Sequence, residues 1–164
     1  MEHERRNDNV FVQAEYDGGF NYAKWKIYPS GWVRLDYQYE LEGQFDLFGV
    51  AFDYPENTML GMKWVGRGPY RVWKNRTKGS SLDVWKNTYK EHIPGVNWDF
   101  PEFKGFYADW HWVVFETEQG KITLLNGAED SFLGVYRPEN GPDPKNTKLE
   151  LPEIGISLLN AIPP

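Results

Sequence analysis

The sequence predicts an all-β fold, an antiparallel sandwich or barrel of about eight or nine strands. Two observations lead there. Short β-rich runs recur along the chain and are broken by Gly, Pro, Asn, Asp and Ser turns. Aromatic residues, which favour the pleated, half-buried surface of a strand, are abundant: 8 Trp, 10 Tyr and 10 Phe make up 17% of the chain. Its 164 residues show no internal repeat and no dividing linker, so one β-sandwich domain over 1–164 is expected.

Each element follows from local pattern. Residues 10–16 and 20–28 form a hairpin around Asp17, Gly18 and Gly19, a turn tolerant of positive φ. After Pro29, Ser30 and Gly31, residues 32–40 alternate, with Val33, Leu35, Tyr37 and Tyr39 on one side and Trp32, Arg34, Asp36, Gln38 and Glu40 on the other. Residues 47–54 and 59–65 are the next strands, the second running into a Gly-Arg-Gly-Pro turn. From about 66 to 106 periodicity fades and a long aromatic-rich loop is expected, with a short helical turn at 83–89. Strands resume at 107–118, cross a Gln119-Gly120 turn to 121–126, and return at 131–136. A polar loop over 137–148 precedes a last strand at 154–162. Val33, Leu35, Phe52, Trp64, Val114, Leu124 and Val135 are the expected core.

Charge and composition exclude several classes. Eighteen basic against 24 acidic residues give a net charge of −6 and no basic block, so nucleic acid is not expected as a partner. The longest apolar runs fall far short of the roughly 18 residues of a membrane helix, so a soluble chain is expected. The charged opening, residues 1–9, has no apolar segment of the kind a secretory signal needs. The compartment, cytoplasmic or periplasmic, is left open. With no Cys there is no disulfide framework, zinc–thiolate site or thiol nucleophile. No His-x-x-x-His spacing points to a transition metal, and a Ca²⁺ held by Glu139 and Asp143 is the weak alternative. No phosphate-binding glycine motif is present, and no cofactor is expected.

The excess of aromatics leaves rings for the surface, where they stack on the apolar faces of sugars. Trp73, Trp85, Trp98 and Trp110, with Arg67, Arg71 and Arg76 as donors, would suit a stand-alone carbohydrate-binding module. Two acid pairs, Asp99 with Glu102 and Glu129 with Asp130, are the local candidates for carboxylate chemistry, although neighbours such as 129 and 130 point to opposite faces of an extended chain. His92 and His111 are the candidate proton carriers.

The most specific string is Trp64-Val65-Gly66-Arg67-Gly68-Pro69-Tyr70, followed by Trp73 and Asn75-Arg76. Leu82-Asp83-Val84-Trp85 and Gly127-Ala128-Glu129-Asp130-Ser131-Phe132 follow in order. Over roughly residues 48–136, these segments resemble the C-terminal domain of glycoside hydrolase family 2 β-galactosidases, which also occurs as the separate small chain of two-chain enzymes. The resemblance implies a galactose mutarotase-like antiparallel supersandwich, in a partial version because that domain is longer than this chain. It also implies carbohydrate metabolism, a galactoside-like sugar and a catalytic domain or chain as partners. Phe132 falls where the family carries a Trp that stacks on sugar at the mouth of the active site. A phenyl ring offers less area and no N–H donor, so altered sugar selectivity is implied. Asp130, Glu129, Tyr70 and Trp98 are the further candidates for carbohydrate contact. Mutarotases of the same superfold use His and Glu, which makes an aldose mutarotase or epimerase the remaining alternative.

Retaining glycosidases need two carboxylates about 5 to 5.5 Å apart. In the resembling family both stand on a TIM barrel, which takes at least roughly 200 residues, more than this chain holds. The expected role is therefore non-catalytic: to brace a barrel and help shape its sugar-binding mouth.

Overall fold

The computed structural model describes residues 1–75, 77–89, 105–135 and 155–163. It is all-β with two antiparallel sheets, in keeping with a β-sandwich, and among the described residues the helical content is a single 3₁₀ turn, Glu56–Thr58. The chain forms two compact units, Met1–Gln44 and Phe45–Pro164.

In the first unit, β1 (Glu2–Arg6), β2 (Asn9–Glu15), β3 (Phe20–Ile27) and β4 (Val33–Tyr39) make a sheet in simple sequential order. Register separates its faces. Val10, Val12 and Ala14 stand opposite Ile27, Trp25 and Ala23, which in turn oppose Val33, Leu35 and Tyr37. Lys24 lies between Gln13 and Asp36 on the other face. β1 forms from the charged opening, residues 1–9, to which the sequence pattern assigned no strand. Its Glu-His-Glu-Arg-Arg sequence is exposed throughout and charges an outer strand, a common way to discourage edge pairing.

In the second unit, β5 (Phe48–Phe52), β6 (Met59–Val72), β7 (Ser81–Thr88), β8 (Phe106–Thr117), β10 (Phe132–Gly134) and β11 (Ile156–Ala161) follow the order β5-β11-β10-β8-β6-β7, while β9 (Gly120–Leu125) pairs with β8. The long strands β6 and β8 carry most of the core. Met59, Met62 and Trp64 of β6 meet Tyr107, Trp110, Val113 and Phe115 of β8, joined by Leu133, Val135 and Ile156. A second cluster gathers Val72, Trp73, Phe106, Ala108, Leu159 and Ile162, with Phe132 and Leu47 packed on it.

The Gly-Arg-Gly-Pro segment is strand, not turn: β6 runs through it to Val72, and β7 takes the place of the expected helical turn at 83–89, while residues 90–104 of the expected loop lie outside the described residues. Alternation explains the error. Trp64, Gly66 and Gly68 share one face of β6, and a Cβ on Gly68 would stand 2.7 Å from the Trp85 indole nitrogen and 2.9 Å from the Trp64 ring. Gly66 is equally closed, with Trp64 ring carbons at 2.6 and 2.9 Å from its would-be Cβ. These glycines make room for two indoles within a strand, and Trp85 Nε1 donates to the Gly66 carbonyl at 3.0 Å. Trp64 Nε1 is satisfied by Asn87 Oδ1 at 2.8 Å, which accounts for a buried amide on β7.

The expected core is corrected in part. Trp64 and Val135 are buried, whereas Leu35, Phe52, Val114 and Leu124 are half-buried and Val33 is 48% exposed. On β8 the buried partner is Val113, one residue from the expected Val114, because the strand is irregular upstream. Between the pairs Arg67–Ala108 and Val65–Trp112, β6 advances two residues while β8 advances four. That excess is a bulge, and Asp109 lies in it with φ of 44°.

Candidate functional site

The segment between β9 and β10 is built around Asn126. Its backbone N–H donates to the His111 carbonyl at 2.8 Å, and its side-chain nitrogen donates to the Trp110 carbonyl and to Ser131 Oγ, each at 2.7 Å. Its Oδ1 accepts from the Ala128 N–H at 3.0 Å. One amide therefore satisfies a carbonyl freed by the β8 bulge and ties both ends of the 127–131 segment together. Sequence reasoning placed Asn126 at the end of a strand and gave it no role. The signal available was its position just before the Gly-Ala-Glu-Asp run, where Asn commonly bonds its own backbone two residues on.

This anchored segment holds three of the expected carbohydrate-contact residues side by side. Glu129 and Asp130 are exposed, and Asp130 adopts a left-handed conformation with φ of 49°. Asp readily takes that conformation, and here it turns the chain into β10. Phe132 opens β10 opposite Ala108 on one side and Leu159 on the other. Its ring is half-buried against the second core cluster, so one part packs inward and another meets solvent.

Tyr70 is separate from that trio, since β8 lies between β6 and β10 in the sheet. It is half-buried, and its hydroxyl donates to the Gly79 carbonyl at 2.9 Å, closing the connection between β6 and β7. Trp98 lies outside the described residues, as do Arg76, His92, Asp99, Glu102, Glu139 and Asp143.

Beside the bulge, Arg67 Nε donates to Asp109 Oδ2 in a close ion pair. Both side chains are about half exposed, so water screens the pair and its contribution is mainly geometric, linking β6 to the bulged part of β8. The exposed His111 lends its carbonyl to Asn126. Among the described residues, no group of three or more His, Cys, Asp or Glu side chains could hold a metal ion, and no helix is long and apolar enough to cross a membrane.

The arrangement presents two carboxylates and the open part of an aromatic ring on one segment tied down by Asn126. Carboxylates accept hydrogen bonds from hydroxyls, and a ring covers an apolar sugar face.

Comparison with known proteins gives the family. No curated protein and no solved structure gave a match. The sequence pattern of one family, the beta galactosidase small chain, matches residues 2–157 and so takes in nearly all of the first compact unit, most of the second and the whole Asn126–Phe132 segment. The chain belongs to the beta galactosidase small chain family.

Proposed function

We propose that this chain is a non-catalytic part of a β-galactosidase-like glycoside hydrolase that braces the catalytic barrel and lends the Glu129–Phe132 edge to carbohydrate at the mouth of the active site. The observation that carries the reading is the family match together with the half-open Phe132 ring beside two exposed carboxylates. A small chain implies a larger one, and the barrel that would supply a retaining carboxylate pair is itself longer than this whole chain. On this reading the larger chain cuts the glycosidic bond. Glu129 and Asp130 accept hydrogen bonds from sugar hydroxyls while Phe132 covers an apolar face.

The test is Phe132→Ala in the assembled enzyme. Losing the ring should raise KM for a galactoside about three- to thirtyfold, the equivalent of roughly 0.6 to 2 kcal/mol of apolar contact, with a smaller change in kcat. Unchanged kinetics in a folded, assembled variant would remove Phe132 from the site.

A stand-alone carbohydrate-binding module is the second reading. Of the residues the sequence offers for it, Trp73, Trp110 and Arg71 are buried, and the first unit's depression of about 590 Å³ beside Tyr16 and Tyr22 is open and polar. Saturable binding of galactose or lactose by the isolated chain would support it.

A further inference from the structure

The four strands β7, β6, β8 and β9 turn one face to the core and the other outward. Register places Val84 opposite Val65, Val65 opposite Trp112 and Trp112 opposite Leu125, so these four side chains form one row on the outer face. With neighbouring strands about 4.8 Å apart, the row is roughly 14 Å long. Its ends are open: Val84 is 51% exposed and Leu125 is 65% exposed, while Val65 and Trp112 are half-buried. Leu82, 61% exposed, extends the apolar strip along β7. Scattered exposed apolar residues are ordinary, but a continuous row across four strands is not.

The next row is basic. Lys86 stands directly opposite Lys63, which in turn opposes Val114. Like charges facing each other across a strand pair repel, and neither lysine is in an ion pair among the described residues. Of the other charges on this face, Arg67 pairs with Asp109, while Glu116 stands opposite Lys121 without an ion pair among the described residues. A facing, unmatched lysine pair beside an apolar strip, on a chain of net charge −6, calls for carboxylates from outside. The small-chain family match supplies the outside partner, a larger chain.

We propose that the outer face of β7, β6, β8 and β9 docks the larger catalytic chain. The Val84-Val65-Trp112-Leu125 row covers an apolar patch on that chain, and Lys63 and Lys86 meet carboxylates at its rim. The proposal rests on the small-chain reading above.

The experiment titrates the full chain into the catalytic chain of a two-chain β-galactosidase by calorimetry, using wild type, Lys86→Glu and Leu125→Lys. Each substitution should weaken association at least tenfold. Lys86→Glu also puts opposite charges face to face with Lys63, so its melting temperature should not fall, separating a lost contact from a lost fold. Unweakened association of either folded variant overturns the docking face while leaving the small-chain reading intact. Absence of a wild-type complex overturns that reading and the face with it. Self-association of the chain that Leu125→Lys abolishes, with binding to the catalytic chain preserved, assigns the face to a second copy and likewise overturns the proposal.

Discussion

Asn126 divides its amide among the Trp110 carbonyl, Ser131 Oγ and the Ala128 N–H. Replacing it with Ala leaves those groups without their partner, one of them the hydroxyl of a buried serine. The expected loss is about 1 to 3 kcal/mol, read as a lower denaturation midpoint in urea with an unchanged slope. An unshifted midpoint would show that water replaces the amide fully. This residue also marks what single residues reveal in sequence. Phe132 was legible because its neighbours form a distinctive string, whereas the role of Asn126 depends on a carbonyl sixteen positions away, exposed by an irregularity that no local pattern announces.

At the level of elements, β6 was the most misleading. Two glycines and a proline within four residues read as a turn, and the real reason for the glycines lies in the indoles of Trp64 and Trp85 that overlie them. Gly68→Ala should therefore cost about 1 to 3 kcal/mol through overpacking, and a melting temperature unchanged from wild type would contradict this account of the motif. β1 was missed for the opposite cause, since its charges suit an edge and carry no apolar alternation. The hairpins around 17–19 and 29–31 were legible because Gly18 and Gly31 take the positive φ that such turns require.

On β4, burial holds the Tyr37 phenol above its ordinary value of 10.0, and burial, then the neighbouring Tyr37, does the same for Tyr39. Both folded values lie above the unfolded one, so this contribution to stability is complete below about pH 10 and is lost as pH rises through the folded values. Alkaline unfolding followed by tryptophan fluorescence should show the loss in wild type, and Tyr37→Phe with Tyr39→Phe should shift it upward. An identical alkaline profile in the double variant would assign the transition elsewhere.

For the molecule as a whole, fold class and family were legible from strand alternation, aromatic content and three ordered motifs, and the match over residues 2–157 bears out the family. The division into Met1–Gln44 and Phe45–Pro164 was not legible, because no change of composition marks residue 44. The apolar row on the outer sheet face was hidden for a related reason. Val65, Val84, Trp112 and Leu125 are scattered over sixty residues of sequence, and only the registers of β6, β7, β8 and β9 bring them into line.

The most direct measurement is galactoside hydrolysis by the catalytic chain of a two-chain β-galactosidase with and without this chain, alongside this chain alone. The account predicts no turnover from this chain by itself and a saturable rise in the activity of the catalytic chain on its addition. Hydrolysis by this chain alone, or full activity of the catalytic chain with no response to it, would contradict a role as the non-catalytic partner.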